Sequence, residues 1–285
     1  MRLSILDHGH RLRARLFLSA TSRDAPDVPR MLLYRPDFVA RPLLAITAPA
    51  MRGPSYWTAA EREYLAMTTA ARHECPFCVT THTELIRIAG HGEIDPDDPT
   101  SPRPELRAVR AFLDTLHTAP DTATPPADLP EEAVREALRV GLVWDIVNRL
   151  ANAFGFTLRG DQLHSGTRAL HRFGYRFPGF LLAGGDRTDH GDPIATLRHA
   201  VFTAPATTGP ALRTAAGTGT ELAEPWQTYT ALVRETSHQI TDADLDRLTA
   251  AGHTEDEIFE VTVAAAVGAA LATYDTGDRL LARKS

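Results

Sequence analysis

Apolar positions along this chain recur with helical spacing, and no segment alternates convincingly as a strand would. Thr58 followed by Glu61 forms a capping box, which predicts a helix start. Tyr64, Leu65, Thr68 and Arg72 continue that helix, and His73-Glu74 breaks it. Pro76 opens the next helix, since proline suits a first turn. Leu85, Ile86 and Ala89 give that helix an apolar face, and Gly90 and Gly92 end it. After a proline-rich loop over 95–104, Leu106, Val109, Phe112, Leu113 and Leu116 mark a third helix. A second proline-rich link, 119–130, precedes a long helix from about Pro130 to Ala153, with Val134, Leu138, Leu142, Ile146 and Leu150 four residues apart and Gly155 as its stop.

The flanking regions are less regular. Residues 1–50 combine an amphipathic start with prolines 26, 29, 36, 42 and 49, and residues 32–38 read as a short helix or an extended arm. Residues 156–192, rich in glycine and aromatics, predict loops and one short helix around 162–173. From Pro193 helical signals return, with a second capping box at Thr254 and Glu257. The run that follows carries Ala264, Ala265, Gly268 and Ala272 on one face, which permits close helix approach. The expected fold class is all-α. The pair 105–118 and 130–154 resembles the pair 224–237 and 254–276, each a helix, a polar link and a long helix of small residues. This predicts a diverged, cysteine-free second repeat, and two domains: 1–192 with the chemistry and 193–285 as a helical C-terminal region.

Composition narrows the class. With 43% hydrophobic and 23% charged residues, the chain reads as an ordinary globular protein. A net charge of -6 argues against a nucleic-acid partner. Arg11, Arg13 and Arg15 read as a solvated helix face. No apolar run is expected to be long enough to span a bilayer, and Asp7, His8 and His10 interrupt the N-terminus before Leu16-Phe17-Leu18, so no membrane association and a cytoplasmic location are expected.

The chain's 2 cysteines lie together in Cys75-Pro76-Phe77-Cys78. A disulfide between them closes a very short loop and constrains the unfolded chain little. The spacing suits a bond that forms and breaks, or a metal. On a helix starting near Cys75, Cys78 lies about 60° and His82 about 20° from it in projection, so all three share a face. His82 is one turn after Cys78. Cys75 at the helix start meets unpaired N–H groups that stabilise a thiolate. Glu63, on the preceding helix, reaches His82 if the two helices form a hairpin. A carboxylate on one imidazole nitrogen raises the basicity of the other, which then accepts a thiol proton.

Three other readings fit parts of this pattern. Cys-Pro-aromatic-Cys occurs in glutaredoxin-like sites, but those need a strand before the motif, and here a capped helix precedes it. A zinc site would draw on Cys75, Cys78 and His82, with His73 or Glu84 as a fourth ligand. The plainest reading is two core cysteines beside a satisfied histidine.

The spacing of Glu63, Cys75, Cys78 and His82 resembles the motif of the alkylhydroperoxidase D-like (AhpD-like) branch of the carboxymuconolactone decarboxylase family. Met51-Arg52-Gly53-Pro54-Ser55, Glu61-Arg62-Glu63 and Asn148-Arg149-Leu150-Ala151 agree with it. The resemblance covers about residues 31–155, and Gly252 through Val267 is the best segment of a diverged second copy. It implies an AhpD-like helical fold that oligomerises with its own copies. It also implies an antioxidant, peroxidase-type oxidoreductase acting on hydroperoxides through a reversible Cys75–Cys78 disulfide, reset by a dithiol or a redox protein. In that scheme Cys78 attacks the peroxide, Cys75 resolves the product, and Glu63 with His82 relays protons; no cofactor and no metal are implied. The chain departs from some members in carrying Phe77 where they have a histidine between the cysteines. A redox-sensing or zinc-binding helical module without catalysis is the alternative.

Overall fold

Helices make up the regular structure of this chain. The computed structural model describes residues 1–21, 26–183 and 190–283, and no strand occurs among the described residues. The all-α expectation is met. The described part of the 156–192 segment contains the expected helix as Gln162–Phe173, while residues 184–189 lie outside the described residues.

The chain divides into two compact units. One comprises 1–46, 149–160 and 176–269; the other comprises 47–148, 161–175 and 270–285. The sequence boundary at 192/193 falls inside the first of these units. Sequence order groups consecutive segments together, whereas the helices Glu131–Phe154 and Glu255–Ala282 each contribute residues to both units.

The second unit carries the cysteines. Its first helix, Ala59–Arg72, starts with the full capping box: the Thr58 hydroxyl accepts from the Glu61 N–H, and Glu61 accepts from the Thr58 N–H. It ends at His73, and Glu74 takes a left-handed conformation with φ 49°. The next helix, Pro76–Gly90, has Cys75 at its N-cap and Pro76 in its first turn. It stops at His91, also left-handed, with Gly92 following at φ 93°. These two helices pack extensively on each other as a hairpin. Pro104–Thr118 buries Leu106, Val109, Phe112, Leu113 and Leu116, the five positions its periodicity marks. The long helix buries Val134, Leu138, Leu142 and Ile146 within this unit.

The second unit also holds Gln162–Phe173, while the first unit includes Asp27–Tyr34 and a π-helical turn over Pro36–Ala40, where the sequence predicts a short helix or arm. Arg11, Arg13 and Arg15 are exposed. The polar link of the proposed second repeat contains a helix of its own, Asp242–Ala250, so the two pairs differ there. In Glu255–Ala282 the Thr254/Glu257 box forms as expected. By length and composition this helix could cross a membrane, which corrects the expectation that no apolar run is long enough. In the fold, 72% of its apolar window is buried, as in a core helix.

Its small-residue face has an internal use. A Cβ on Gly268 would lie 2.2 Å from the carbonyl oxygen of Gly217, and one on Gly217 would lie 3.2 Å from that of Ala264. The face therefore seats the Pro210–Thr218 helix within the same unit, while Ala272 is exposed.

Candidate redox site

The helix hairpin sets Glu63 against His82, on the helix that carries Cys78 and has Cys75 at its N-cap. Cys75 and Cys78 are free thiols, 1% and 2% exposed. His82 follows one turn later on the same helix and is buried. Glu63, fully buried on the preceding helix, accepts a hydrogen bond from His82 Nδ1 at 2.7 Å. With Nδ1 turned to a carboxylate, Nε2 is the ring nitrogen left to exchange a proton. That is the arrangement expected of a base held in one tautomer.

Glu63 has two further partners that the sequence did not point to. Arg52 Nη2 donates to Oε1 at 2.5 Å, and the Tyr175 hydroxyl lies 2.8 and 3.0 Å from the two carboxylate oxygens. Burial pushes the Glu63 carboxyl up, but the His82 hydrogen bond and charge, and then Arg52, outweigh it and hold the group below its ordinary value. Glu63 is thus an ion kept in the interior by directed donors, as a buried charge requires. Burial, and then the Glu63 charge, push the Tyr175 phenol well up, so Tyr175 remains a neutral donor.

Tyr175 and Trp144 complete the enclosure. Tyr175 follows Gly174 in a left-handed turn, with φ of 62° and 61°. Such a φ is unfavourable for a bulky side chain. Its ring is held by the Arg52 guanidinium, 5.1 Å from the centroid, and by Trp144 at 5.8 Å. Trp144 also meets the His82 ring edge-to-face at 4.0 Å. The signals for these residues were slight: Arg52 sits in a flank already noted, and Tyr175 follows a helix-ending glycine far from the motif.

The two thiols differ. A hydrogen bond from Cys78 draws the Cys75 thiol down; burial opposes it, and the backbone N–H groups of Cys78 and Phe77 assist. Complete burial pushes the Cys78 thiol well up, and its partnership with Cys75 adds to this. Of the two thiols, Cys75 is therefore the more readily ionised.

The other ligands of the zinc reading are engaged elsewhere. His73 Nε2 pairs with Asp145 Oδ1, and His164 Nδ1 lies 3.5 Å from Glu84. Comparisons with protein-family models, curated proteins and solved structures returned no match.

Proposed function

We propose that this chain is a thiol-dependent peroxidase of the AhpD-like type, cycling between the Cys75/Cys78 dithiol and their disulfide. The observation that carries this reading is the buried Glu63–His82 pair one helical turn from a reduced cysteine pair at a helix start. A core histidine beside two inert cysteines has no need of an ionised carboxylate with Arg52 and Tyr175 holding it.

The chemistry runs in three steps. Cys78, protonated at rest, needs a base, and His82 takes its proton. The Cys78 sulfur bonds to the terminal peroxide oxygen, the O–O bond breaks, and the departing alkoxide takes the proton back from His82 and leaves as an alcohol. Cys75 then attacks the sulfenic sulfur, the S–O bond breaks, and hydroxide leaves with the Cys75 proton as water. An external dithiol, itself oxidised to a disulfide, returns both cysteines to thiols by exchange. With both cysteines at most 2% exposed, the peroxide reaches them only on local opening, which favours small hydroperoxides.

The test is thiol titration before and after substoichiometric hydroperoxide, with disulfide mapping and dithiol-driven turnover. The reading requires loss of two thiols per peroxide consumed, a Cys75–Cys78 bond, and continued turnover with dithiol. Disulfide formation without peroxide turnover would indicate a redox-sensing module instead. The resemblance also motivates a homo-oligomer, though the small-residue face that suggested one is used within the chain.

A further inference from the structure

We infer that His73, His117 and Asp145 form a binding site for a divalent transition-metal ion, separate from the thiol pair. One candidate ligand atom from each lies within 4.8 Å of the others. The three residues come from different places in the chain and share one unit. His73 caps the Ala59–Arg72 helix, His117 is in the last turn of Pro104–Thr118, and Asp145 is in the middle of the long helix. His73 Nε2 contacts Asp145 Oδ1, and the rings of His73 and His117 meet edge-to-face at 5.2 Å.

Donor chemistry sets the class of ion. Two imidazoles and one carboxylate suit zinc and its first-row neighbours rather than calcium or magnesium, which take all-oxygen sets. With both imidazoles neutral the set carries one negative charge, which a divalent cation reverses. A carboxylate beside an imidazole is also a common way to tie two helices together, and His73 with Asp145 alone would be that. His117 makes the difference: it brings a second imidazole to the same point, where a helix tie needs only one.

The geometry fits after a modest closure. Zinc bonds to nitrogen and oxygen near 2.1 Å put tetrahedral ligand atoms roughly 3.4 Å apart. The widest separation must therefore shrink by at most roughly 1.4 Å, and the His73–Asp145 contact must open as the ion enters between them. The closure falls to His117, the half-buried member of the three. His73 and Asp145 are buried and anchored on rigid elements, which favours a defined site over a loose surface one. Three protein ligands leave a tetrahedral ion one position for water or a small ligand.

The test uses the untagged full-length chain, treated with a chelator and then freed of it. Cobalt(II) is titrated and its visible d–d bands are followed, then zinc(II) is added to displace it. The same titration is run on the Cys75→Ser/Cys78→Ser double variant, so that thiolate binding is separated from binding at this site. The expected result is one ion per chain in both proteins, affinities within about twofold, and no thiolate-to-cobalt band in the near ultraviolet in either. His117→Ala and Asp145→Asn should each weaken binding at least tenfold, with helical circular dichroism unchanged. If His117→Ala loses helicity, the bulkier His117→Gln replaces it. No saturable binding in the double variant, or undiminished binding in the folded His117 variant, would overturn the site whatever the fate of the peroxidase reading.

Discussion

Glu63 and His82 face each other across the hairpin of Ala59–Arg72 and Pro76–Gly90, carboxylate oxygen to Nδ1 at 2.7 Å, both fully shielded from solvent. Nineteen residues apart in sequence, they are joined by a turn whose last residue is Cys75. Folding the hairpin, orienting the imidazole and placing the first thiol at a helix start are therefore one event.

The first expected outcome concerns pH. Glu63 is held below its ordinary value of 4.5, so it contributes stability that is fully present above that value and is lost as pH falls through the lower folded value. Glu63→Gln leaves the Arg52 guanidinium, 14% exposed, without its closest carboxylate. Breaking a buried pair by removing one partner costs about 3–5 kcal/mol. Urea unfolding at pH 7 should show a loss of that order. The gap between wild type and variant should narrow only below about pH 4.5. A gap independent of pH down to 3 would mean that Glu63 is not ionised in the fold.

Tyr175→Phe removes one donor from that carboxylate and keeps the ring against Trp144 and Arg52. A hydrogen bond to a charged group contributes about 1.5–3 kcal/mol. Chemical denaturation should place the loss in this range, below that of Glu63→Gln. Equal losses would show that the hydroxyl, rather than Arg52 and His82, keeps the carboxylate ionised.

Thr58→Ala tests the hairpin without touching a thiol. Loss of an N-cap costs about 1 kcal/mol, and here the Thr58 hydroxyl also lies 3.0 Å from Glu93. Thermal unfolding should fall accordingly. A stability unchanged within about 0.3 kcal/mol would mean the capping box is marginal.

How much of this was legible follows from distance along the chain. Both capping boxes, the Cys75 helix start and the buried apolar positions 106–146 are local patterns with a fixed period, and they folded as read. Glu63 and His82 were legible because a short turn between two helices allows few arrangements. Tyr175 was not: it lies 112 residues from Glu63 and reaches it through a left-handed turn that no periodicity encodes. Trp144 and Asp145 looked like one more stretch of the long helix, yet Trp144 packs on His82 and Asp145 pairs with His73. The Ala264–Gly268 face was read correctly as a close-approach surface, but sequence alone does not say which helix approaches.

Gly268→Ala probes that face. The added Cβ would meet Gly217 backbone at 2.2 to 2.5 Å, which no side-chain rotation relieves. Overpacking of this kind costs about 1–3 kcal/mol or more. The variant should unfold at lower denaturant with its subunit mass in light scattering unchanged. A change of mass without loss of stability would place the face between chains instead.

The two thiols should fail differently. Cys78→Ser should abolish fast peroxide consumption, because a serine hydroxyl is not a comparable nucleophile at neutral pH. Cys75→Ser should permit a single attack and then stall as a sulfenic acid on Cys78 that dimedone traps. His82→Ala and Glu63→Ala should slow the first turnover by about 10²–10⁴-fold while leaving both thiols in place, the usual worth of general acid–base help. The resting structure sharpens this test. Of the two thiols Cys75 is drawn down and Cys78 is pushed up by burial, so the proposed attack by Cys78 calls on His82 to remove its proton. If Cys75 were the attacking sulfur, peroxide loss in Cys78→Ser would persist and hardly respond to His82→Ala, and dimedone would label Cys75. Single-turnover peroxide loss in each variant, with the labelled residue mapped by mass spectrometry, separates the two assignments. A label on Cys75 in Cys78→Ser, and none on Cys78 in Cys75→Ser, would reverse the roles while leaving the disulfide cycle intact.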